Sequence, residues 1–146
     1  MFKAEIKGLD QTLKRIESYS KELADKVDVE LNKAAVQMSS IARGTAPRGK
    51  TGILSGSIYH DISKRFDKRV IAPAPYAAYV EFGTGINVFK NKTGFVFTPA
   101  MKAYAKEFYV NGMGRMPAQP YFFPAYTIAS NNLLKNLRAI FSQRKK

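Results

Sequence analysis

Residues 44–51 read GTAPRGKT, and the fold class turns on whether they close a helix or cradle a phosphate. The letters match G-x-x-x-x-G-K-[ST], with Gly44, Gly49, Lys50 and Thr51 in the required places. A phosphate loop also needs a buried strand entering it and a helix leaving it. Upstream, Leu23, Val27, Leu31, Ala34, Met38 and Ile41 recur at spacings of three, four and seven, which marks an amphipathic helix ending at about Arg43. Downstream, TGILSGSI contains Gly52 and Gly56, which disfavour a helix. Pro47 withholds a backbone N–H from a loop that would work by supplying them. The magnesium carboxylate of such a site has one approximate counterpart, Glu81, in a stretch that reads as a helical turn. The octapeptide is therefore read as a helix stop, Gly44 then Pro47, running into an exposed basic loop.

Towards the N-terminus, Leu9, Leu13 and Ile16 continue the helical period, with a division around Ser18–Ser20. Before them FKAEIK alternates and predicts a short strand with Phe2, Ala4 and Ile6 on one face, broken by Gly8. Past the basic loop at 48–57, the runs Leu54–Ile62 and Arg69–Ala72 predict a β-hairpin turning at Lys64–Lys68. PYAAYVEFGTG predicts one short helical turn halted by Gly83 and Gly85. Residues 86–98 read as a second loop, with NKTG as a turn and FVF as a short strand; 99–110 read as a helix opened by Pro99. From Pro124 a last helix is expected to about residue 142, burying Tyr126, Leu133, Leu134, Leu137, Ile140 and Phe141. This order predicts one α+β domain over 1–146. A long N-terminal helical segment and a C-terminal helix pack on a small antiparallel sheet, with flexible loops near 44–57 and 84–98.

The composition removes several classes of chemistry. With no cysteine and a single histidine, His60, neither a thiolate site nor a zinc site is expected. His60 and Asp61 are neighbours on a predicted strand, so they point to opposite faces and make no dyad. The acids cluster on the N-terminal helices, where surface pairing is their ordinary use. No enzyme, cofactor or metal is expected. Nor are a secretory leader or a membrane span, since no long apolar run occurs.

The net charge of +13 is unevenly spread. Residues 1–46 hold eight basic and seven acidic side chains, whereas 82–146 hold ten basic ones against Glu107 alone. Such a half-molecule seeks a polyanion or an acidic protein surface. Aromatic residues (Tyr76, Tyr79, Phe82, Phe95, Phe97, Tyr121, Phe122, Phe123 and Tyr126) lie among these cations. They read as core, or as stacking platforms of a small basic nucleic-acid-binding protein. The proline-framed QPYFFPAY also suits a stiff docking surface for another protein.

Three stretches in order carry a family likeness: TGILSGSI at Thr51–Ile58, YAAYVEFGT at Tyr76–Thr84 and PAQPYFFPA at Pro117–Ala125. Behind a long N-terminal helix and before a terminal one, they resemble the neck, or head–tail joining, family of long-tailed bacteriophages, also labelled minor capsid or tail-completion proteins. The resemblance implies a virion structural protein without catalysis, assembled in the host cytoplasm. Its copies would form a ring between the portal-side connector and the tail, around the channel through which DNA passes. Its implied protein contacts are Arg48, Lys50, Thr51, Leu54, Tyr76, Tyr79, Glu81, Phe82, Thr84, Pro117, Pro120, Tyr121, Phe122 and Pro124. Arg144, Lys145 and Lys146 would face DNA. Residues 86–115 carry no mark of the family.

Overall fold

A computed structural model describes residues 2–5, 11, 14, 15, 18, 20–107 and 113–143. Strand β1 (Phe2–Glu5) precedes the long helix α1 (Lys21–Thr45), which opens on Ser20, whose Oγ accepts the Leu23 N–H at 3.3 Å. Its buried face is the one the spacing predicts: Leu23, Val27, Leu31, Ala34 and Met38. The helix runs two residues beyond Arg43 because Ala46 N–H still reaches Ala42 O at 2.8 Å, and Pro47 then ends it.

The basic segment that follows is not a loop throughout, and the first hairpin strand does not begin at Leu54. Ile53–Ser57 form a short helix, α2, entered through Gly52 in the left-handed conformation (φ 64°). Leu54 and Ile58, four residues apart, are both buried, whereas Ile53 is exposed. Burying that pair on one side offsets the roughly 1 kcal/mol that Gly56 costs a helix.

Strands β2 (Tyr59–Lys64) and β3 (Asp67–Ala72) make the expected hairpin, and β1 pairs with β3 on the other side. All pairings are antiparallel and the order is β1-β3-β2. Central β3 buries Val70, Ile71 and Ala72. Then come α3 (Ala77–Phe82), a 3-10 turn (Gly85–Asn87), α4 (Pro99–Ala105) and α5 (Phe122–Ser142). Phe95–Phe97 form no strand, for among the described residues no strand pairs with them; Asn91 Oδ1 instead accepts the Thr93 and Phe95 N–H groups. Helix α4 opens on Thr98 as Pro99 predicts but ends at Ala105.

Helix α5 starts at Phe122, two residues before Pro124, and lies antiparallel to α1: Asn132 contacts Gln37 and Asn136 contacts Glu30. Leu133 packs among Val27, Leu31 and Ala34. The predicted stripe is narrower than expected, since Leu134 and Phe141 are exposed. The architecture is α+β, with α1 and α5 packed with a small antiparallel sheet. Ile6, Leu9, Leu13, Ile16, Arg144, Lys145 and Lys146 lie outside the described residues.

Candidate protein interface

The start of α5 has no cap of its own. Tyr121 occupies the cap position, and its side chain accepts nothing from the first turn. Helix α3 supplies the acceptor instead. Glu81 is fully buried, and its Oε2 accepts Tyr121 N–H and Phe122 N–H, each at 2.8 Å, while Oε1 accepts Phe123 N–H at 3.0 Å. A carboxylate at a helix N-terminus satisfies open donors and meets the positive end of the helix dipole. In return Tyr121 Oη donates to Ala77 O at 3.1 Å, one turn back along α3. Burial raises the Glu81 carboxyl above the ordinary value of 4.5, opposed by the three backbone N–H groups that favour its charge. Burial also raises the Tyr121 phenol, reinforced by the charge of Glu81.

The residues after Glu81 extend this lock. Thr84 N–H donates to Met116 O and Thr84 Oγ1 accepts Met116 N–H, both at 2.8 Å. Gln119 N–H donates to Val80 O at 2.8 Å, and Ala118 N–H to Lys90 O at 3.0 Å. Between them Gly83 takes φ 77°, and a Cβ there would meet Asn87 O at 2.6 Å, Ala118 N at 2.7 Å and Met116 O at 2.9 Å. Only glycine fits this crossing. Over it, Phe82, Phe89, Phe95, Phe97 and Phe123 pack ring against ring at centroid distances of 5.1–6.1 Å.

The sequence matches the model of the HK97-gp10-like family, described as bacteriophage HK97-gp10, a candidate tail component, over residues 10–83. That is half of the chain. The protein belongs to the HK97-gp10-like family. It is thereby a structural component of a phage tail or head–tail assembly, and its place is the virion. No curated protein and no solved structure matches it. The match ends at Gly83, where the α3 segment meets the 116–123 segment.

In this HK97-gp10-like chain the residues named as protein contacts fall into two sets. Leu54, Glu81, Phe82, Pro120, Tyr121 and Phe122 are buried and face the chain itself. Arg48, Lys50, Thr51, Tyr76, Tyr79 and Pro117 are exposed, and Thr84 and Pro124 are half-buried. The two aromatic stretches thus bind each other, and Tyr76, Tyr79 and Pro117 are the exposed residues they leave. A lone carboxylate inside an otherwise uncharged AAYVEF, together with an α5 start lacking Ser, Thr, Asp or Asn, was the available signal for the lock.

The remaining candidates for chemistry resolve structurally. A long helix, α1, enters the GTAPRGKT stretch, and the helix leaving it has only five residues. His60 Nδ1 lies 2.8 Å from the buried Ser39 Oγ, joining β2 to α1. Asp61 is occupied by Ser63, whose N–H and Oγ both donate to it. Those bonds lower the Asp61 carboxyl below its ordinary value. Among the described residues no group of three His, Cys, Asp or Glu side chains could hold a metal ion, and no helix is long and apolar enough to cross a membrane. The interior space between α1, β3 and α5 measures about 30 Å³, room for about one water.

Proposed function

We propose that this HK97-gp10-like chain is a non-enzymatic subunit of the phage head–tail junction, whose copies form a ring between the portal-side connector and the tail. The family match over residues 10–83 carries the reading. The fold supports it in physical terms: the polar groups that motif reading nominated for outside partners, Glu81 and Thr84 above all, are spent on internal bonds. Such a domain is stiff around its centre and offers its exposed basic and aliphatic segments to neighbours. A heterologous ring uses different patches on the two sides of each subunit, which an asymmetric charge distribution suits. In this reading its partners are copies of itself, connector and tail proteins, and DNA in the channel.

Deleting the gene from the phage and imaging particles by electron microscopy tests the junction role. Separate heads and tails are expected; normally joined particles would refute it. Native mass spectrometry of the purified protein tests self-assembly, where closed oligomers of one stoichiometry are the expected species.

A further inference from the structure

Among the described residues, ion pairing is confined to one end of the molecule. The pairs are Glu22–Lys26, Asp25–Arg65, Asp28–Lys68, Glu30–Lys33 and Asp67–Arg69, all on α1 and the hairpin. Beyond them, Lys90, Lys92, Lys102, Lys106 and Arg115 have no carboxylate partner among the described residues. Contacts with the 87–90 turn bring Lys90, Lys102 and Arg115 into one neighbourhood. Ala118 N–H is bonded to Lys90 O, Asn87 Nδ2 to Arg115 O, and Lys102 Nζ lies 5.6 Å from the Phe89 ring centre, with Lys106 one turn on.

The same ribbon exposes aliphatic side chains far more than a solvated loop requires. Val96 is 80% exposed between the inward-facing Phe95 and Phe97, Ile86 is 69% exposed and Met113 76%. Gly114 packs against Thr84, which sets Met113 beside the turn that carries Ile86. Backbone bonds from Phe89 N–H to Phe82 O and from Thr84 N–H to Met116 O tie the turn carrying Ile86 and the segment at Met116 to the end of α3.

We infer that residues 85–107 and 113–116 carry a docking surface for an acidic protein partner, a carboxylate-bearing segment with aliphatic side chains between its charges. Uncompensated cations alone would suit DNA equally well, because phosphate neutralisation needs only charge. The aliphatic trio decides the matter: Ile86, Val96 and Met113 find no counterpart on a phosphate backbone, whereas protein interfaces desolvate such groups inside a polar rim. A second copy is a poorer occupant, since each copy carries +13 and Glu22, Asp25, Asp28, Glu30 and Asp67 already hold cations of their own. The inference adds a partner chemistry to the junction reading. It is tested on the isolated chain, so its failure and the failure of that reading, scored on particles, are separate events.

The test measures fluorescence anisotropy of the full chain with three labelled probes of equal charge: a peptide alternating glutamate and leucine, poly-glutamate, and random-sequence duplex DNA. The glutamate–leucine peptide is expected to bind about tenfold more tightly than poly-glutamate or DNA. Ile86→Ser with Val96→Ser should reduce that preference to about twofold or less, and Lys90→Glu with Lys92→Glu should weaken the peptide by more than about tenfold. All four side chains are exposed, and circular dichroism confirms that each variant is folded. A control on α5, Lys135→Glu with Arg138→Glu, should leave peptide binding within about twofold. Equal binding of all three probes, preference for DNA, or equal loss in the α5 control would overturn the inference.

Discussion

Two inward-turned carboxylates hold this domain together by opposite means. Glu81 is held by three backbone N–H groups at the start of α5 rather than by a cation. Asp28 works through a counter-charge: Lys68 Nζ, its side chain 2% exposed, lies 3.0 Å from Asp28 Oδ1 and also donates to Ile62 O and Lys64 O. Asp28 in turn accepts Phe66 N–H at 2.8 Å, which fixes the hairpin tip, where Phe66 takes φ 61°, against α1. The difference is one of dependence. An ion pair can lose one member and leave a partly solvated remainder, whereas a carboxylate that caps a buried helix start leaves several donors stranded at once.

The sharpest break is therefore Glu81→Ala, expected to lower unfolding free energy by about 4 kcal/mol, read as a shift of the denaturation midpoint. A loss under about 1 kcal/mol would show that water replaces the carboxylate and that the cap is dispensable. Glu81→Gln refines the point through pH. With the folded carboxyl raised above the unfolded one, the native state binds the extra proton, so wild-type stability falls as pH rises above about 4.5, the ordinary carboxyl value. The amide of that variant does not titrate, and the wild type should lose ground against it as pH rises through this window.

Next in size is Gly83→Ala, at about 3 kcal/mol, because both φ 77° and the backbone atoms facing the new Cβ oppose it. Thermal melting reads that loss; a melt close to the wild type would mean that the crossing can spread. Lys68→Met keeps the packing and removes the charge, and should cost about 2 kcal/mol, since Asp28 is one-fifth exposed and regains some water. At the low end, Lys50→Ala should change stability by less than about 0.5 kcal/mol and leave ATP binding absent, as expected of an exposed residue outside a nucleotide site. Measurable ATP binding lost in this variant would reinstate the phosphate loop.

What could be read from sequence was set by periodicity. The buried face of α1 follows from a spacing of 3.6 and appears where that pattern places it; the β2–β3 hairpin exists as expected, but its first strand begins at Tyr59 rather than Leu54. Short elements escaped. Leu54 and Ile58 have helical spacing, but two glycines and a following strand masked five residues of helix. Phe95–Val96–Phe97 alternates like a strand, yet strands exist only in pairs, and pairing is invisible locally. The family likeness drew attention to stretches whose side-chain directions were legible only in three dimensions. An uncapped α5 and the carboxylate that completes it stand 40 residues apart.

That separation has a consequence in time. The chain is made from its N-terminus, so Glu81 is synthesised well before Tyr121, Phe122 and Phe123 exist. Until they follow, its carboxylate belongs to water, and α3 ends in an exposed charge beside Phe82. In the folded chain the start of α5 shields that carboxylate from water and sets Phe123 against Phe82. The central lock thus waits on residues made 40 positions later, and any chain stopped short of Tyr121 leaves a hydrated carboxylate where the folded protein has a buried helix cap.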